Sequence, residues 1–232
     1  MALQAVITGD IVNSSAMSKQ QRTYIISQLK ICFAGLRKKK FFSFQKPFEV
    51  FRGDSFQGII NQPEQALRIA IIIRALIIKL NKPQKKSKSK TTKVSVVTLK
   101  DADVRIAIGI GEVNIKARKV VESDGEAFHN SGKLLDAIKN SGERIMIKSS
   151  DKILNDELSA GFTLLDFIMS KWTPQQCEAI YEMLNNNYSQ QQLSRKLKIS
   201  QPSVHQRLKI SGWYSVEKFL NYYEAHLNQN KV

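Results

Sequence analysis

Cysteine is nearly absent from this chain. Cys32 and Cys177 are the two thiols in 232 residues, far apart and without partners at metal-ligand spacing. That excludes a disulfide framework and a thiolate zinc site, and it fits a reducing cytoplasm. Long apolar runs are also missing. The greasiest stretch, residues 67–80, is interrupted by Arg68, Arg74 and Lys79 and falls short of a bilayer span. It reads as a buried helix, with no membrane role. The early Val6-Ile7 run is cut by Asp10 and lacks a basic start, so it is no signal peptide. Acidic residues are scarce, 20 against 36 lysines and arginines, for a formal charge of +16. A field of that sign favours nucleic acid, nucleotides or an acidic membrane surface. What the chain does have is a hydrophobic fraction of 42%, enough to exclude a disordered polypeptide.

The element order predicts an α+β protein. Residues 3–12 are β-branched and end at Asn13-Ser14-Ser15, a strand followed by a turn. Ser18 suits an N-cap, and Tyr24, Ile25, Leu29, Cys32, Phe33 and Leu36 follow at helical spacing. Residues 47–52 and 55–60 flank Gly53-Asp54, a two-residue loop with glycine first, which predicts a type II′ hairpin. Pro63 opens a helix over residues 64–80. Residues 81–103 include a basic low-complexity loop, either a solvated insertion or an arm toward phosphates. Residues 104–115 alternate: Ile106, Ile108 and Ile110 on one side, Ala107, Gly109 and Gly111 on the other. The nearly bare side permits close approach of a ligand or of another backbone. A helix over residues 125–139 and a strand over 143–147 complete a first domain, residues 1–165.

Strand, helix, strand, strand, helix, strand is the split βαβ order of a ferredoxin-like antiparallel sheet. In that topology the first strand lies beside the third. Asp10 and Asp54, distant in sequence, then become neighbours. Mg²⁺ prefers one or two carboxylates together with substrate phosphates and water. A divalent cation, Mg²⁺ or Mn²⁺, would relieve the repulsion between the two aspartates. The Ile11 carbonyl is an added candidate ligand. The amides of Asn13, Ser14 and Ser15 are candidates for a phosphate cradle at a helix N-terminus. The plainer alternative is that Asp10 caps a turn and Asp54 completes the hairpin.

These motifs resemble a known group. VITGDIV is similar to the metal-binding strand of class III nucleotidyl cyclases, and RGDSF to their second metal hairpin and to the Gly-Asp turn of diguanylate cyclases. RIAIGIGEV resembles the cyclase strand with an Arg-x-Gly-Ile-x-x-Gly-Glu pattern. SDGEAFHNSGKL resembles the segment Gly-Asp-x-Val-Asn-x-Ala-x-Arg-Leu. The resemblance spans about residues 1–150 and implies a palm-type sheet with a nucleoside triphosphate or cyclic nucleotide as ligand. It also implies catalytic candidates: His129 stands where cyclases have asparagine, and Lys133 where they have arginine. Lysine meets a phosphate without arginine's fixed fork. The whole chain most resembles the SatD family of bacterial proteins.

A second domain is expected over residues 172–230. Thr173 with Pro174 starts a helix running to about residue 184, Ser189 caps the next through Leu197, and a third follows over residues 201–210. This spacing predicts a helix-turn-helix, with Leu193, Leu197, Ile199, Val204 and Leu208 as its small core. Lys198 takes the turn position where glycine is common. Gln201, Ser203, His205, Gln206 and Lys209 are candidates to face a groove of double-stranded DNA, and Lys196 and Arg207 to meet phosphates. A module for protein contact is the alternative. Trp213-Tyr214 and residues 219–223 predict a final aromatic helix.

Three functions are therefore weighed: a cytoplasmic DNA-binding regulator with a metal- and nucleotide-binding sensor domain, an active nucleotidyl cyclase or nucleotidyltransferase, and a partner protein with neither activity. Helix-turn-helix proteins and cyclases commonly pair, so a homodimer is expected by analogy.

Overall fold

In a computed structural model, residues 3–51, 53–82, 97–115, 120 and 123–229 are described. The centre of the basic loop and Arg52 lie outside them. The sheet has five strands in the order β2-β3-β1-β4-β5. They are β1 Gln4–Ile11, β2 Phe44–Phe51, β3 Ser55–Ile60, β4 Val104–Gly111 and β5 Ile145–Lys148. All neighbours are antiparallel except β4 and β5, which run parallel. The chain is thus a mixed α+β protein with a mostly antiparallel sheet. No described helix is long and apolar enough to cross a membrane.

Helices follow from local signals. In α1, Lys19–Arg37, Ser18 accepts from the Gln21 amide while the Gln21 side chain accepts from the Ser18 amide. This reciprocal pairing satisfies two donors that a helix start leaves free. Pro63 opens a 3-10 turn, and α2 proper is Ala66–Lys79. The Gly53-Asp54 turn joins β2 to β3, but Phe51 pairs with Ser55, so three residues separate the strands rather than the two of the expected type II′ loop. Gly53 has φ +84°, backbone that disfavours a side chain. Then come α3 Glu126–Ser141 and α4 Lys152–Ser170. Helix α4 was not foreseen as an element. Asp151 caps it, accepting from the amides of Ile153 and Leu154.

The sheet's two faces differ. Ile7, Phe56, Ile106, Ile108 and Ile110 lie in the main core with α1 and α2, whose Leu29, Phe33, Ile69 and Ile73 are buried there. On the other face α3 lies close. A Cβ added at Gly109 would sit 2.1 Å from the Ala127 carbonyl oxygen and 2.4 Å from the Ser131 nitrogen. The bare side of β4 therefore admits another backbone, that of α3. Under α3 runs a buried polar chain: Gln57 Nε2 donates to Thr8 Oγ1 at 2.8 Å, and Thr8 to Ser131 Oγ at 3.0 Å.

The C-terminal helices are α5 Pro174–Asn186, α6 Gln190–Leu197, α7 Gln201–Ile210 and α8 Trp213–Gln229. Their apolar residues join the same contiguous core as the sheet. Buried Tyr223 donates to the Pro63 carbonyl at 2.8 Å, and Arg68 pairs with Glu224 at 2.7 Å. Arg74 of α2 is 1% exposed and grips Asp103 through two bonds of 3.1 Å and Asp166 of α4 through a third. A buried guanidinium is tolerated only when its donors are met in this way.

Candidate functional site

Asp10 is the penultimate residue of β1 and pairs across the sheet with Ser55 of β3 and Arg105 of β4. The hairpin folds Asp54 beside it. The Ile11 amide donates to the Asp54 carbonyl at 3.2 Å. The hydroxyl of Ser14 donates to the Asp54 carboxylate, tying the turn after β1 to the hairpin. Asn13 adopts the left-handed conformation at φ 53°, and a 3-10 turn occupies Ser14–Ala16. The amides of Asn13, Ser14 and Ser15 therefore belong to this separate turn. The N-terminus of α1 begins after it, at Ser18. The turn thus stands before the first helix, and the αL residue lets it close apart from the N-terminus of α1.

The Asp10 carboxylate is nearly buried and already has cations. Arg105 Nη1 lies 3.3 and 3.4 Å from its two oxygens, and Lys139 Nζ of α3 lies 3.9 Å away. Burial pushes its pKa above the ordinary carboxylate range. Arg105 and Lys139 pull it back in part, and the Asp54 charge pushes it up. Among the described residues no group of three or more His, Cys, Asp or Glu stands where it would hold a metal ion. The donor set is thus two aspartates and backbone, which suits a cation that brings phosphates and water as its remaining ligands.

Sequence reasoning missed Lys139 and the capture of Asp10 by Arg105. The β1–β4 register sets Arg105 opposite Asp10, but which strands pair is a non-local fact. His129 and Lys133 are not brought to Asp10. They lie ten and six residues from Lys139 on α3, about 15 and 9 Å along its axis at 1.5 Å per residue. His129, with a side chain 67% exposed, instead meets Asp124 at 3.2 Å. Lys133 is exposed. A large cavity of about 1040 Å³ lies elsewhere, between α1 and β2, floored by Phe33 and Phe48 and edged by Lys30, Arg37 and Lys38.

At the other end, α6 and α7 meet at Lys198, whose φ of 54° is left-handed. This is why glycine suits that position. Val204 and Leu208 anchor α7, leaving Gln201, Ser203, His205, Gln206 and Lys209 exposed. Lys196 of α6 is exposed too. Ser203 bonds the Ser200 cap at 2.8 Å, and His205 Nδ1 contacts the Tyr214 hydroxyl at 3.2 Å. Arg207 turns inward, 3.8 Å from Glu178.

Sheet, paired aspartates and exposed cations together define a mixed α+β protein with two aspartates and their cationic partners at one strand end and a cationic surface on α6 and α7. The chain belongs to the SatD family, whose model matches residues 4–220. No curated protein matches it.

Proposed function

We propose that this protein binds double-stranded DNA through α6 and α7 as a helix-turn-helix, and that the Asp10–Asp54 pocket senses a nucleotide carried by Mg²⁺ or Mn²⁺. The observation carrying the DNA reading is the two-sided character of α7. Val204 and Leu208 point inward, while Gln206 and Lys209 stand exposed on the other side and Gln201 is exposed at the helix start. Residues 189–212 supply the exposed cations Arg195, Lys196, Lys198 and Lys209 and no carboxylate. Glutamine suits adenine edges, and lysine suits guanine or phosphate. The strand order β2-β3-β1-β4 supports a ferredoxin-like, palm-type reading of the sheet. The convergence of Asp10, Asp54 and the Asn13–Ser15 turn supports the nucleotide reading.

The test has two arms on the full chain. In a duplex shift assay, Gln206→Ala and Lys209→Ala weaken binding, and unchanged binding overturns the recognition-helix assignment. In titrations with Mn²⁺ and each nucleoside triphosphate, Asp10→Asn and Asp54→Asn each abolish saturable binding. A second reading, an active nucleotidyl cyclase or nucleotidyltransferase, draws on the same two aspartates. It requires His129 and Lys133 to act from outside this chain's own pocket. Chromatography for cyclic or linked products separates the two readings.

A further inference from the structure

Helix α4 is apolar on two sides. Leu154, Leu158, Phe162, Leu165 and Met169 are buried in the core. Turned away from them, Ile153, Leu164 and Phe167 are 71%, 63% and 63% exposed, and Ala160 is exposed between them. Positions 153, 160, 164 and 167 follow steps of seven, four and three, so they form one stripe along the helix, the spacing of a helix-pairing seam. Such an aligned set of large exposed side chains differs from scattered surface leucines.

Charge along the stripe points to its occupant. The molecule carries +16 overall, so most faces of two copies repel. From its cap to Lys171, the surface of α4 sets Asp151, Asp156 and Glu157 against Lys152 and Lys171, Asp166 being held by Arg74, so it lacks the general positive excess. The flanking charges are also ordered. Asp156 and Glu157 lie near the N-terminal end, and Lys171 lies on the line of the stripe at the C-terminal end, with its ammonium 5.2 Å from the centre of the Phe167 ring.

We propose that this stripe joins two copies of the chain, with the α4 helices antiparallel about a two-fold axis at Leu164. Leu164 then meets its own copy, bulky Phe167 meets the partner's small Ala160, and Lys171 meets the partner's Asp156, beside Glu157, which lies 3.0 Å from His226 of its own chain. One surface patch thus complements itself, as a two-fold interface requires. A seam one helix long falls at the small end of specific interfaces, so the dimer is reversible and concentration-dependent. The inference is independent of what the Asp10 pocket or α7 binds.

The experiment is sedimentation or light scattering of the full chain over the micromolar range. The wild type shifts from monomer to dimer, and Leu164→Glu weakens association at least about tenfold, roughly 1.4 kcal/mol, with an unchanged circular dichroism spectrum and melting point. Lys171→Glu and Asp156→Lys each weaken the dimer, and the double variant regains it. Leu164→Cys forms a disulfide-linked dimer on mild oxidation, whereas Ile31→Cys, exposed on α1, does not. Cys32 and Cys177 are buried and stay silent in that assay. A wild type that remains monomeric overturns the proposal. So does a dimer that survives Leu164→Glu, or a Leu164→Cys protein that links no faster than Ile31→Cys.

Discussion

Around Asp10 the polar side chains hold one another, whereas on α7 several stand in water. Asp10 has Arg105 and Lys139, and Asp54 has Ser14. Gln201, Gln206 and Lys209 are exposed, held in place by the backbone of a helix anchored at Val204 and Leu208. On the proposed function, the difference implies two modes of recognition. A ligand at Asp10 must exchange existing partners, so affinity there depends on the difference between two ionic arrangements. A polyanion at α7 displaces water and mobile ions, so affinity there tracks salt.

The largest expected effect lies outside both regions, in the joint between the sheet and helices α2 and α4. Arg74 joins α2 to Asp103, one residue before β4, and to Asp166 of α4. Arg74→Ala leaves two carboxylates facing a vacant buried site and is expected to destabilise the fold by about 3–5 kcal/mol, read by chemical denaturation. Loss of stability below 1 kcal/mol would show that the joint is peripheral. Next is the α7 surface. Gln206→Ala is expected to weaken binding to a preferred duplex by about 1–3 kcal/mol and relax its sequence preference. Lys196→Ala weakens all duplexes alike and lowers the salt slope by about one. If both variants behave alike, α7 does not read bases.

Smaller still is the turn between α6 and α7. Lys198→Gly relieves a left-handed residue and is expected to raise stability by about 1 kcal/mol, measured from the denaturation midpoint. The finest probe is the Asp10 proton. Asp54→Asn removes a like charge, so the Asp10 pKa moves down toward the ordinary carboxylate value. Arg105→Gln removes an opposite charge, so it moves further up. Carboxyl NMR titration reads both directions. No movement in Asp54→Asn would separate the two aspartates electrostatically and leave the nucleotide reading without its pocket.

Signals carried by a few adjacent residues were legible in the sequence. Ser18 as a cap, Thr173 with Pro174, and the hairpin at Gly53-Asp54 each specify a local geometry, and each element stands where expected, although Phe51 pairs with Ser55 and the hairpin loop is one residue longer than the type II′ pattern implies. Asp10 and Asp54 were legible as a pair only through the strand order. What escaped was set by distant contacts. Arg74 looked like an interruption in an apolar run, because nothing near it in sequence announces Asp103 or Asp166. Lys139 reaches Asp10 only because the glycines of β4 let α3 settle onto the sheet. Helix α4 was overlooked although Leu154, Leu158, Phe162, Leu165 and Met169 recur at helical spacing. Its second apolar stripe blurs the contrast between a wet side and a dry side that usually marks a helix.

The bond from Tyr223 to the Pro63 carbonyl bears on how the chain is made. Residues 63–79 emerge from the ribosome long before α8 does, yet α8 covers the entrance to α2. A nascent chain halted ahead of Tyr223 would expose the Pro63 carbonyl and leave Phe162 without one of the two rings packed against it. Such truncated products should be recognised by chaperones and proteases as unfinished, even with every strand of the sheet already synthesised.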